Sequence, residues 1–362
     1  MKRTRLVPVI IFLFVALAVV WFAFYRTAAV VVGPAMTGTP SSPGLVSSPS
    51  ITAGLTDAVI DTPEPRSSPS PAETASVTST TGFPIRAAFY YPWFPEAWSQ
   101  QGYDPFTHYH PLLGFYDSSN MKVIQQHIQE MLYGGITLGI ASWWGQGSPT
   151  DGRAPELLQA ANGSGFRWAL YYEYEGISNP SPAEISSDLV YIRDRYSSNP
   201  NYLKIDGRFV VFVYGDTSDD CGMADRWKQG NTVNAYIVLK VFPKYASCPN
   251  PPDGWHQYSP ADAAIDRSFS YTISPGFWKQ GEAAPRLGRN LSRWDSDIQA
   301  MIASGARFQL ITTFNEWGEG TAVEPAQEWS SPSGYGVYLD ALHDNGNPPL
   351  ASQSTGMATP AP

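Results

Sequence analysis

The stretch FNEWGEGTAVEP, residues 314–325, sets three carboxylates, Glu316, Glu319 and Glu324, directly after the apolar run FQLITT. A carboxylate beside apolar chain is costly unless it is solvated, paired or used in a reaction. Two acids three residues apart on a tight turn can reach neighbouring atoms of one bound molecule. If their surroundings separate their pKa values, one can donate a proton while the other accepts one. Glycosidic cleavage needs such a pair. A structural alternative is an anion-rich turn whose oxygens accept from backbone N–H groups. Gly318 and Gly320 permit tight backbone geometry on either reading.

The acids need elements to position them, and apolar strand-like runs recur upstream. They cover residues 86–94, 136–144, 166–174, 208–214, 235–242, 268–274 and 308–314, with a weak eighth at 255–259. Amphipathic helical patterns lie between several of them. NMKVIQQHIQEMLYGG puts Val123, Ile124, His127, Ile128, Met131 and Leu132 on one face and ends at Gly134 and Gly135. SPAEISSDLVYIRDRY opens with Ser181, Pro182 and Glu184 in the order of a capping box. LSRWDSDIQAMIASG ends at Gly305. Apolar strands alternating with such helices predict an α/β fold, a single (β/α)8 TIM-type barrel over residues 83–345, with a doubly wound open sheet as the alternative.

In a barrel, reactive groups gather where strands end. Those ends carry Tyr90, Tyr91 and Trp93, then Trp143 and Trp144, then Glu173, then Tyr214, and finally Asn315, Glu316, Trp317 and Glu319. The rim is therefore expected to be aromatic and acidic. Flat rings stack on the apolar faces of sugars, and carboxylates and amides bond to hydroxyls. Trp143 and Trp144 could instead cap the core, and Glu173 could be an ion-paired surface acid.

Composition narrows the partners. The net charge of -9 argues against nucleic acid, which needs a basic face. No GxGxxG or GxxxxGK[ST] follows a strand, and the five histidines form no ligand pattern, so neither cofactor nor metal is expected. The pair His108 and His110 reads as a polar loop. Cys221 and Cys248 are a candidate disulfide in an exported chain, or two free thiols.

Lys2, Arg3 and Arg5 precede an uncharged apolar run from Val7 to Tyr25. As a helix that run spans about 28 Å, enough for a bilayer. Residues 1–32 read as a cytoplasmic tip and a single-pass membrane anchor, with a cleaved signal as the alternative and the rest of the chain outside the cell in either case. Residues 33–82 are rich in Pro, Ser and Thr and read as a linker spanning on the order of 40 Å. Residues 346–362 read as a disordered tail.

The stretches AFYYPWF, HYHPLLGFYDSSN, IASWWG, YLKIDGRFVVFVY, SPGF and ITTFNEWGEGTAVEPA together resemble glycoside hydrolase family 99, which contains endo-α-1,2-mannosidases and mannanases. The resemblance runs in order over nearly all of residues 84–345. It implies a (β/α)8 barrel and a retaining mechanism without a carboxylate nucleophile. Glu316 would take the proton of the sugar 2-hydroxyl, whose oxygen closes a 1,2-anhydro sugar. Glu319 would protonate the leaving oxygen and then activate water. Where the family tends to read N-E-W-H-E-G-T-Q-I-E, this chain has Gly318, Ala322 and Val323.

The expectation is a membrane-tethered, extracellular hydrolase of α-mannosidic oligo- or polysaccharides. Two alternatives stay open. One is a two-carboxylate retaining glycosidase pairing Glu173 with Glu316. The other is a catalytically silent glycan-binding surface protein.

Overall fold

The computed structural model of the protein describes residues 82–347. The apolar runs become strands buried on both faces, as in a parallel sheet covered by helices. In chain order the elements are β1 (Ile85–Tyr90), α1 (Met121–Tyr133), β2 (Leu138–Trp143), α2 (Pro149–Ala160), β3 (Arg167–Tyr172), α3 (Glu175–Ser178), α4 (Pro182–Arg195), β4 (Lys204–Ile205), β5 (Arg208–Val213), α5 (Cys221–Gly230), β6 (Tyr236–Lys240), β7 (Gly254–His256), β8 (Ala264–Asp266), β9 (Ser270–Ile273), α6 (Leu291–Ala303), β10 (Phe308–Ile311) and α7 (Val337–His343). Each of the eight strand-like runs forms a strand, including the weak one at β7. The predicted membrane span and linker lie outside the described residues. Among the described residues no helix is long and apolar enough to cross a membrane.

Eight strands run parallel in the order β7-β6-β5-β3-β2-β1-β10-β9, with β8 antiparallel on β9 and β4 antiparallel on β5. The expected closed (β/α)8 barrel needs two corrections. The backbone ladder stays open between β7 and β9. There the Thr272 hydroxyl donates to the Gln257 carbonyl at 2.9 Å, and the Phe269 ring lies against Gly254. The crossovers from β6 to β7 and from β7 to β9 also carry no α-helix, only a 3-10 turn at Tyr245–Ser247 and the strand β8. The first holds CPNPPDG, whose prolines cannot continue a helix. The result is an α/β half-barrel type of fold.

The capping box read at Ser181 and Glu184 forms its reciprocal bonds at α4. Asn120, which was not singled out in the sequence, accepts from the Lys122 N–H to start α1. Cys221 and Cys248 form a disulfide that ties the start of α5 to the β6–β7 connection.

Side chains alternate along each strand, so the core divides in two. Phe89, Tyr91, Ile140, Tyr171, Phe212 and Val238 fill the barrel interior. Tyr90, Ala141, Trp143, Tyr172, Val213 and Leu239 face the helix layer. Trp168 crosses β2 at Gly139, where an added Cβ would lie 2.1 Å from a ring carbon. Gly139→Ala should therefore lower stability by about 1–3 kcal/mol, or more if the indole cannot move. Denaturant unfolding checks this, and an unchanged midpoint would show that the ring yields freely.

Candidate active site

The turn that follows β10 is fixed from both sides. Asn315 accepts from the Tyr91 N–H at 2.7 Å and donates to the Tyr91 carbonyl at 3.1 Å, so its amide extends the β1–β10 pairing beyond the ladder. The Glu316 N–H donates to the Thr313 hydroxyl at 2.8 Å. On the other flank the Trp278 N–H donates to the Glu319 carbonyl at 2.9 Å, and the Gln280 N–H to the Gly318 carbonyl at 2.8 Å. Gly320 has φ +67, and a Cβ there would lie 2.6 Å from the Trp278 carbonyl oxygen, so this close approach requires glycine.

This scaffold brings Glu316 and Glu319 together. The Glu319 N–H donates to Glu316 Oε1 at 3.1 Å, while Glu316 Oε2 is buried with no protein partner. Glu319 Oε2 accepts from the Tyr258 hydroxyl at 2.9 Å, and Glu319 keeps part of its surface exposed. Glu173 enters from the end of β3. It is buried, and its Oε1 has no protein partner. Burial and then the charge of Glu319 hold Glu316 well above the usual carboxylate range. Burial raises Glu319 as well, opposed by Lys279 and by the Tyr258 bond. Burial pushes Glu173 up to about 8, with Glu319 adding to it and Ser142 and Lys240 opposing.

The predicted rim residues sort by strand parity. Tyr91, on the interior side, stacks on Trp93 at 4.5 Å and lies in the field of Glu173, Glu319 and Glu316. Trp93, Trp144 and Tyr214 are half-buried at strand ends. Tyr90 and Trp143 are corrections. Both point outward, fully buried, with Tyr90 bonded to His127 at 3.0 Å and the Trp143 indole donating to Asp151 at 2.7 Å. Asn315 and Trp317 are also removed from the predicted glycan surface. The Asn315 amide is committed to Tyr91. The Trp317 indole is buried and donates to Glu324 at 3.1 Å.

Glu324 is structural. Fully buried, it also accepts from Tyr116 at 2.7 Å and lies 3.3 Å from the His127 ring. His108 stacks on Trp278 at 3.9 Å and His110 pairs with Glu328 at 2.7 Å, as a polar loop would. Among the described residues no group of three His, Cys, Asp or Glu could hold a metal ion.

Three neighbours of the acids were not foreseen: Tyr258, Trp278 and Lys240. Tyr258 lies just past the weak strand and Trp278 just past SPGF, so their proximity to Glu319 is set only by the fold. Lys240 did leave a signal, a lone cation at the end of the run AYIVLK.

Residues 86–230 match the family model of Glycosyl hydrolase family 99. The chain is 22% identical over 267 residues to a glycoprotein endo-alpha-1,2-mannosidase of Xenopus laevis, covering 61% of this chain and 59% of that protein. It is 24% identical over 288 residues to the Mus musculus protein of the same name, covering 64% and 60%. The chain thus spans about three fifths of these relatives' length. The GH99 endo-alpha-mannosidase structure from Bacteroides thetaiotaomicron superposes with a TM-score of 0.61 at 19% identity, covering 73% of this chain and 97% of that one. Over residues 86–230 the chain is thus similar to glycosyl hydrolase family 99.

Packing accounts for one departure noted in the motif. A Cβ at Gly318 would lie 2.6 Å from the Phe106 ring and 3.0 Å from Glu316 Oε1. Phe106, from the loop before α1, fills the space that a side chain at 318 would take.

The raised carboxyls make stability depend on pH. Glu173 titrates near 4.5 when unfolded and near 8 when folded. Between those values the native state binds more protons, so stability falls as pH rises through that window. Glu130 and Glu175, each raised by burial to about 7, act in the same direction. The melting temperature should drop from about pH 5 to about pH 8, and Glu173→Gln should flatten that slope. Calorimetry across the range checks both, and an identical slope in the variant would contradict the placement of Glu173.

Proposed function

We propose that this chain is a family 99 enzyme, a retaining glycoside hydrolase of α-mannosidic glycans, with Glu316 and Glu319 at the reacting atoms. The observation that carries the reading is the coupled pair itself. A buried and a half-buried acid on one turn are joined through the Glu319 N–H, beside half-buried aromatic rings at the barrel mouth. The bond-free oxygens of Glu316 and Glu173 are acceptors waiting for hydroxyl donors, which a sugar supplies in number. Relatives named as endo-alpha-1,2-mannosidases supply the substrate class.

In the proposed sequence a pyranose lies with its 2-hydroxyl at Glu316 and its glycosidic oxygen at Glu319. Glu316 takes the hydroxyl proton and the oxygen attacks the anomeric carbon. The leaving oxygen departs with the proton of Glu319, which leaves a 1,2-anhydro sugar. Glu319, now a carboxylate, takes a proton from water as it opens the ring, and Glu316 returns the proton to the 2-oxygen. Two inversions give net retention.

The electrostatics set a condition on this sequence. Like charges this close share one proton, and burial favours resting it on Glu316 in the empty site. The arriving 2-hydroxyl must then stabilise the carboxylate form of Glu316, and the proton must pass to Glu319. The cell exterior is the proposed compartment. The basic tip with its apolar run supports it, as does the Cys221–Cys248 disulfide.

Incubation of the enzyme with α-1,2-linked mannans, followed by NMR, should show release of oligosaccharides that appear first as the α-anomer. Glu316→Gln and Glu319→Gln should each lower kcat/KM by about 10²–10⁴-fold. If Glu173→Gln abolishes turnover while Glu319→Gln retains it, the pair is Glu173 with Glu316. If the wild type binds the glycans without cleaving them, the hydrolase reading fails.

A further inference from the structure

Lys240 is a buried cation among buried acids, and the proposed reaction gives it no part. The sheet register places it. Tyr172 pairs with Val213, and Val213 with Leu239, on the three adjacent strands β3, β5 and β6. All three residues face the helix layer. One position further along, Glu173, Tyr214 and Lys240 therefore form a row that turns inward, to the barrel interior.

Within that row the lysine leans over Tyr214, the residue between it and Glu173. Its Nζ donates to the Gly215 carbonyl at 2.6 Å and sits 4.3 Å from the centre of the Tyr214 ring. Lys240 is only 7% exposed, so its charge is poorly screened by water. The groups that face it come from every neighbouring element. Glu173 and Tyr171 come from β3 and its end. Tyr214, Asp216 and Asp219 come from β5 and the loop after it. His256, held neutral by burial, comes from β7, and Glu319 comes from the turn after β10. Of these charged groups only Lys240 is a cation.

We propose that Lys240 is a positioning residue, whose ammonium, clamped between the Gly215 carbonyl and the Tyr214 ring, eases the ionisation of Glu173 when a glycan lies in the hollow. A buried acid with an unbonded oxygen is a strong acceptor for sugar hydroxyls only in its ionised form. Without a cation, the neighbouring Glu319 and the apolar wall drive it to hold its proton. The lysine thus acts on the sugar through Glu173 and touches no reacting atom. The glycan part rests on the proposed hydrolase reading; the Lys240–Glu173 coupling does not.

The test follows the two ionisations directly. The full chain is labelled with ¹³C at glutamate carboxyls and at lysine Cε. The Glu173 and Lys240 signals are assigned by their loss in Glu173→Gln and Lys240→Gln. In Lys240→Gln the Glu173 midpoint should rise by about one pH unit or more. In Glu173→Gln, which leaves the Gly215 bond intact, the Lys240 midpoint should fall by a similar amount, since coupling between two sites is reciprocal. This second arm holds even if Lys240→Gln fails to fold. Midpoints that stay put overturn the proposal, because a lysine serving only packing would move neither. If both midpoints move and no mannan is cleaved, the coupling stands and the hydrolase reading alone falls. If mannans are cleaved and the midpoints are unmoved, only the role of Lys240 falls.

Discussion

The two-residue period of a parallel ladder decides what this barrel can do. The strands β1, β2 and β3 end in consecutive aromatic or acidic residues, and only alternate ones face the interior. Tyr91 and Trp144 share the interior parity with Glu173, Tyr214 and Lys240, whereas Tyr90 and Trp143 face the helices. A slip of one residue in any pairing would exchange these sets and put a tyrosine or tryptophan where an acid must stand. The interior packing of Phe89, Tyr171 and Phe212 makes such a slip expensive, because every large ring of the strand would change sides. The chemistry at the mouth is thus specified by apolar residues below it.

The acidic turn lies beyond the ladder and is held by other means. Asn315 takes both backbone groups of Tyr91, and Glu324 gathers the Tyr116 hydroxyl and the Trp317 indole. These polar groups are fully buried and bonded to one another. Removing one would leave its partners unsatisfied at a cost of about 1–3 kcal/mol each. A network of this kind fixes one geometry more narrowly than apolar packing does. It explains why three glutamates within nine residues behave differently. Glu324 Oε2 accepts from Tyr116 and Trp317 while its Oε1 faces the His127 ring at 3.3 Å, whereas Glu316 accepts only from the Glu319 N–H on one oxygen and leaves the other without a protein partner.

Much of this was legible because it is local. The eight apolar runs, the capping box at Ser181 and the glycine stop after α1 depend on neighbouring residues alone. The adjacency of Glu316 and Glu319 follows from their spacing. Parity at the strand ends was not legible, because it depends on where the ladder begins. Tyr90 and Tyr91 look alike until β1 is paired with β10. The commitments of Asn315 and Trp317 were hidden for another reason: their partners, Tyr91 and Tyr116, lie some two hundred residues away in sequence. Tyr258 and Trp278 escaped in the same way. The missing helix before β7 could have been read from the prolines of CPNPPDG, but a pattern of eight strands drew the expectation to full symmetry.

The unusual concentration of acid at one end of the barrel is sustained by burial and by a few donors. Glu173, Glu316 and Glu319 lie within one another's fields, and all are driven towards their neutral forms. A site that holds its protons when empty and must yield them on demand needs the ligand to tip the balance. Sugar hydroxyls suit this, since each can donate to a carboxylate and stabilise the ionised form. A bound anion would do the reverse, adding repulsion to burial. The same electrostatics that make the empty site reluctant to ionise therefore favour a neutral polyol as its ligand, and the chain's overall negative charge reinforces that preference.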